Sequence, residues 1–585
     1  MEKYFEEVSR SNIINFNRNF MDPQAPVSCI GQGELGGKAH GLASIRTTLR
    51  QVASITEFQG IWVDVPAMTV LCTDVFDAFM VQNELNEIAL SDLPDDRIAY
   101  AFQRAELPFE ILGDLRSIVE QVHLPLAVRS SSLLEDALKA PFAGVYATKM
   151  IPNSAFDPDV RFRQLADAIK FVYASLFFRT AKDYCKAIGY RIEDEKMAII
   201  IQEMVGKRYH ERYYPELSGV ARSYNYYPIK PARPEDGVVN LALGLGKTIM
   251  DGGISWAYSP AYPNIDPPFG SVEELLKKSQ REFWVVNMGE LPDYHPLTET
   301  EYMRLENLTT AERDDTLRYL ASTYSPISGR LSIGTGFPGP RALTFAPLLV
   351  LQQIPVNDLL IQLLGVCEKA AQAPVEIEFA MTFNPPRFCF LQIRPMVVPG
   401  ADSDISVEDL RGENVLVASE SVLGNGSLDT IKDIVYLKPD SFALQHSKAI
   451  VAELERFNDK LLNNNDPYLL IVFGRLGTTD PWLGLPTTWG QVCGAKVIVE
   501  ATRENARIEL SQGSHYFHNV INLGIKYFTL PFPSSYQIDW DWLGQQEVVE
   551  DTIFIRHARL ATPLQVRVDG RHSRGVIYKP PKEQR

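Results

Sequence analysis

The sequence predicts an α/β (α+β) protein of several domains, on three observations. At 585 residues the chain exceeds what one hydrophobic core supports, so several units of ordinary domain size are expected. Short β-branched apolar runs alternate with helix-like stretches along the first 400 residues. Hydrophobic residues make up 45% and charged residues 22%, a balance that allows large buried cores.

Taken in order, residues 1–30 are polar and Asn-rich and read as an N-terminal arm or first helix. A glycine-rich turn from Gly31 leads into a helix start at Lys38-Ala-His-Gly-Leu-Ala-Ser-Ile. Val63-Asp-Val-Pro-Ala-Met-Thr-Val-Leu reads as one strand, followed by a helix from Asp74 carrying Phe76 and Phe79. Leu126-Ala-Val-Arg-Ser-Ser reads as a strand running into a polar loop, and Met197-Ala-Ile-Ile-Ile-Gln-Glu-Met-Val as a buried strand. Between Val397 and Asp404 the chain becomes rich in Pro, Gly and Asp and loses apolar periodicity, which marks a domain boundary. The expected organisation is an arm at 1–30, lobes at 31–200 and 201–400, a smaller α/β domain at 405–535 and an extension at 536–585.

Charge excludes some functions. The net charge of −16 argues against nucleic acid as a partner, because phosphate backbones are held by a surplus of Lys and Arg. No apolar run approaches the ~20 residues that span a bilayer, and the N-terminus lacks the cationic and apolar segments of a signal peptide. The six cysteines are scattered without a CxxC pair, as expected of buried thiols in a reducing compartment. A cytoplasmic location without membrane attachment is the expectation.

Three motifs carry chemistry. In Gly31-Gln-Gly-Glu-Leu-Gly-Gly-Lys38, glycines let backbone amides approach phosphate oxygens and the lysine adds a mobile positive charge. The spacing is not that of a P-loop, and a helix entry with a solvated lysine is the plainer reading. In Val128-Arg129-Ser130-Ser131-Ser132, followed by Glu135-Asp136 and Pro141-Phe-Ala-Gly144, the arginine is suited to fork onto phosphate oxygens; a surface salt bridge is the alternative. In Val375-Glu376-Ile-Glu378-Phe379 the two carboxylates of a strand share a face and repel unless a cation joins them, which suits Mg²⁺. A half-exposed strand edge is the plainer reading.

With Gln202-Glu-Met-Val205, Ser218-Gly-Val220, Gly244-Leu-Gly246 and Phe390-Leu-Gln392-Ile-Arg394-Pro395, these motifs form an ordered series. The series resembles the ATP-binding region of the phosphoenolpyruvate synthase and pyruvate phosphate dikinase family over roughly residues 30–400. That resemblance implies a two-lobed ATP-grasp nucleotide clamp that binds Mg·ATP. It assigns Lys38 and Arg129 to phosphate contacts, Glu376 and Glu378 to Mg²⁺, and Gln202, Gln392 and Arg394 to the nucleotide site. Three departures bear on turnover: Lys247 stands where the family usually has Glu, Ala221-Arg-Ser-Tyr224 replaces a Phe-Thr-like run, and Trp256-Ala257 replaces Pro-Asp.

The remaining residues after Met396 are too few for the family's pyruvate-binding barrel. Ser511-Gln-Gly-Ser-His515-Tyr-Phe-His518, with Gly524-Ile525 after it, resembles the family's phosphohistidine carrier segment. This points to a swivelling-type domain at 405–535 with His515 as candidate catalytic phosphoacceptor, although Ile521 replaces an arginine and Tyr516-Phe517 replace small residues. His518 reads as structural. The resemblance implies an ATP-dependent phosphotransferase that passes a phosphoryl group, by way of His515, to a small molecule or partner protein. Two alternatives stand beside it: a regulatory protein that binds ATP without transfer, and a small-molecule kinase like the rifampin phosphotransferases. The acceptor and the oligomeric state are not legible.

Overall fold

A computed structural model describes residues 13–18, 27–52, 56–135, 144–226, 228, 230–265, 271–290, 292, 295–396, 405–478, 484–502, 524–570 and 572–580. The chain forms two compact units. The first comprises residues 1–179 and 192–396, and the second residues 180–191 and 397–585. Both mix helices with several sheets, so the architecture is α/β in the α+β sense.

Among the described residues, the first unit has a six-stranded sheet in the order Ile14–Asn15, Val27–Ile30, Met68–Leu71, Met197–Glu203, Leu126–Ser132 and Thr148–Ile151. The central strands are buried along almost their whole length, as their continuous apolar sequence requires. Helix Pro158–Ser175 begins at Asp157, whose side chain accepts from Asp159 N, with Pro158 in the first turn. It packs against this sheet, and Tyr173 meets Phe76 and Phe79 with ring centroids 5.1 and 5.4 Å apart.

A seven-stranded sheet runs in the order Trp256–Tyr258, Val238–Ala242, Leu217–Arg222, Val375–Phe383, Pro386–Pro395, Ile61–Asp64 and Glu57–Phe58. The stretch expected as one strand over 63–71 therefore divides: Ile61–Asp64 joins this sheet and Met68–Leu71 the six-stranded one. Pro66 lies at the break. It has no N–H for a ladder and restricts the residue before it, so the chain turns from one sheet into the other there. Helix Gly37–Gln51 packs on strands of both sheets, Leu126–Ser132 and Pro386–Pro395.

In the second unit the strands Asp433–Leu437, Tyr468–Phe473, Ala495–Ala501 and Lys526–Leu530 pair in parallel at the centre of a sheet. Helix Ser447–Asn463 links the first two, as a parallel pair demands a crossover. Residues from 548 to 559 continue that sheet, and Gln565–Asp569 and Arg574–Tyr578 belong to a four-stranded one. His515 and His518 lie outside the described residues. All six cysteines are buried. Among the described residues, no helix is long and apolar enough to cross a membrane.

Candidate functional site

Several of the candidate residues meet at Arg129. It sits within Leu126–Ser132, whose neighbour Met197–Glu203 pairs Ala127 with Gln202. Only 9% of Arg129 is exposed. Its Nη1 donates to Gln202 Oε1 (3.3 Å) and to the Leu391 carbonyl (2.5 Å), and its Nη2 donates to Gln392 Oε1 (3.2 Å). Glu378 Oε2 lies 3.9 Å from Nη2. One guanidinium thus joins the six-stranded and seven-stranded sheets, using the planar fork that lysine lacks. Gln202 Nε2 is buried with no hydrogen-bond partner among the described residues. A buried amide donor left this way favours a ligand that brings an acceptor.

Lys38, 8% exposed, enters on helix Gly37–Gln51 and donates to Glu135 Oε1 at 3.0 Å. Two glycines set that helix close to both sheets. A Cβ on Gly36, whose φ is +77°, would stand 1.7 Å from the Ser131 carbonyl oxygen, and one on Gly41 would stand 3.0 Å from that of Ile393. Ser131 Oγ accepts from Ala39 N and donates to the Leu35 carbonyl.

The amides of the glycine-rich turn do something other than the sequence suggests. Gln32 N and Gly33 N donate to the Asp74 carboxylate at 2.7 and 2.8 Å, and Glu34 N donates to Thr73 Oγ1. Those donors are already satisfied by a carboxylate and a hydroxyl, so in this structure the turn is a scaffold for Lys38. The three serines also differ from the expected open loop. Ser130–Ser132 are strand residues and fully buried. Ser130 Oγ and Ser132 N donate to Glu135, which positions the partner of Lys38.

Glu376 and Glu378 share a strand face, as period two requires, but their surroundings differ. Glu376 is 1% exposed. Its Oε1 accepts from Arg394 Nε at 2.9 Å, and its Oε2 accepts from Arg222 Nε. The repulsion that was expected to call for a metal between the two acids is relieved at Glu376 by guanidiniums. Glu378 is less enclosed and has Arg129 at the edge of ion-pair distance. Among the described residues no group of three or more His, Cys, Asp or Glu side chains is placed to hold a metal ion. Mg²⁺ is often held by only one or two carboxylates together with substrate phosphates, and Glu378 fits that requirement better than Glu376. Lys247, on the short helix Lys247–Met250, pairs with Asp251 at 3.0 Å and lies 3.9 Å from Glu299.

Glu195 was not singled out in the sequence. It is 2% exposed and accepts from Leu134 N. Burial, above all, pushes its carboxyl up to about 7, and the neighbouring charge of Glu135 adds to the rise. The folded protein therefore holds a proton that the unfolded chain releases near 4.5. The stabilisation from holding it is full below that value and is lost as pH rises through about 7. Glu195→Gln is expected to melt closer to the wild type at pH 5 and to exceed it at pH 8. Parallel melting curves across that range would contradict this assignment.

The family described as "Pyruvate phosphate dikinase, AMP/ATP-binding domain" matches residues 32–413. A relative from Bacillus subtilis (strain 168), described as "Uncharacterized phosphotransferase YvkC", is 26% identical over 193 residues. The matched stretch is 33% of this chain and 20% of the relative.

Proposed function

The chain belongs to the pyruvate phosphate dikinase AMP/ATP-binding domain family, and we propose that it is an ATP-dependent phosphotransferase with the nucleotide bound in a two-lobed ATP-grasp clamp around Arg129. The observation that carries this reading is the convergence on Arg129 of Gln202, Gln392 and Glu378 from strands far apart in sequence. On this reading Lys38 and Arg129 exchange part of their present pairing for phosphate oxygens, a trade between charge-assisted contacts of similar strength. Gln202 Nε2, a buried donor without a partner among the described residues, gains an acceptor from the nucleotide. Gln392 and Arg394, on Pro386–Pro395, close the site and offset charge on the transferred group.

When bound, Mg²⁺ supplies charge neutralisation on the β- and γ-phosphates. On this reading Glu378 would hold it, and Glu376 would serve chiefly to orient Arg222 and Arg394. Imidazole is a competent nucleophile toward phosphorus, and His515 is the proposed first acceptor. A small molecule or a partner protein is the final one.

Incubation with Mg²⁺ and ATP labelled in its β- and γ-phosphates tests the reading. The expected product is protein-bound label that is acid-labile and base-stable, absent from His515→Ala, with ADP or AMP released. Label that persists in His515→Ala would remove this histidine from the route. Saturable ATP binding with no label and no ADP or AMP release would favour the regulatory alternative.

A further inference from the structure

The strand face that carries Glu378 and Gln392 also holds a positive charge beyond the expected nucleotide contacts. Arg222, Glu376 and Arg394 are register partners across three adjacent strands. Their exposures are 5%, 1% and 4%. One carboxylate serves two guanidiniums, so the triad keeps a surplus of one positive charge in a water-poor setting. Arg222 is anchored on its other side as well: Nη1 donates to Asn240 Oδ1 (3.3 Å), and Asn240 Nδ2 donates to Ser255 Oγ (3.2 Å).

The next register row on the same face is Val220, Glu378 and Gln392, the row on which Arg129 rests. Two residues of strand separate the rows by about 7 Å. At that range a buried charge acts with far less screening than an exposed one. Arg222 and Arg394 also restrain each other. With Glu376 held from the Arg222 side, its Oε1 offers Arg394 a fixed acceptor, and the guanidinium is pre-oriented before any ligand arrives.

We propose that Arg222 is a positioning and selectivity residue of the nucleotide site, orienting Arg394 through the shared Glu376 and adding the surplus charge that favours nucleotides with more phosphates. This rests on the nucleotide site proposed above. Removing Arg222 leaves Glu376 and Arg394 as a neutral pair, so the fold should tolerate its loss better than loss of the shared carboxylate.

Calorimetric titration with ATP and AMP of the full chain, as wild type, Arg222→Gln and Arg222→Lys, tests the proposal. The preference for ATP over AMP is expected to fall about tenfold or more in Arg222→Gln, the scale of one weakly screened charge acting at about 7 Å. Arg222→Lys, which keeps the charge and loses the fork, should stay within about threefold of wild type. Equal weakening of ATP and AMP in Arg222→Gln would overturn the proposal, as would Arg222→Lys falling as far as Arg222→Gln. Should Arg222→Gln fail to fold, Arg222→Met, which also removes the charge but keeps much of the side-chain volume, decides: a loss of ATP preference supports the role and an unchanged preference overturns it. A wild type that binds neither nucleotide contradicts the nucleotide site itself, a result separable from these.

Discussion

Replacing Glu376 by alanine is expected to destabilise the first unit by roughly 3–5 kcal/mol, the usual cost of removing one member of a buried ion pair. The reason is specific to this carboxylate. It is 1% exposed and is the shared acceptor of Arg222 and Arg394. Without it, two buried guanidiniums lose the carboxylate they share, and neither can shed its proton to escape the cost. Glu376→Gln should fall between the two, since the amide oxygen still accepts but carries no charge. Denaturant unfolding of wild type and variants measures this. The exposed pair Lys278–Glu274 serves as the comparison, because breaking a surface ion pair changes stability little. A Glu376→Ala variant as stable as a Glu274→Ala variant would show that the triad is not holding the sheet.

The second large effect is expected on turnover. Arg129→Met keeps much of the side-chain volume but removes every polar contact to Gln202, Leu391 and Gln392. It also leaves Glu378 without its nearest cation. If the guanidinium stabilises charge that develops on the transferred phosphoryl group, the rate of ATP consumption should drop about 10²–10³-fold, as for loss of one preorganised donor. Arg129→Lys is not a conservative change here, because a point charge cannot reach Gln202 and Gln392 together. It should recover little of the rate. A decrease under about threefold in Arg129→Met would place the chemistry elsewhere.

Much of the fold can be read from local sequence. The buried strands at 126–132 and 197–203 follow from continuous apolar runs, and the shared face of Glu376 and Glu378 follows from strand period. What cannot be read are contacts between residues distant in the chain. Arg222 and Glu376 are 154 positions apart, so nothing near Glu376 announces that guanidiniums already neutralise it. The glycine-rich turn looks like a phosphate cradle because nothing in residues 31–38 shows that Asp74 satisfies its amides. Glu195 stood out in no motif, since its shifted carboxyl comes from burial against the turn at Ser132–Glu135 rather than from its neighbours in sequence. The Val63–Leu71 run contained its own warning in Pro66, but a proline that passes a chain between two sheets is indistinguishable locally from one that ends a strand. The inclusion of residues 180–191 in the second unit likewise depends on packing that has no local signature.

Equilibrium titration of Mg·ATP into the wild-type chain and into Arg129→Met tests the central claim most directly. Saturable binding by the wild type, weakened about tenfold or more in a folded Arg129→Met, is the result expected of a site built around this guanidinium. Equal affinity in the two proteins would contradict it.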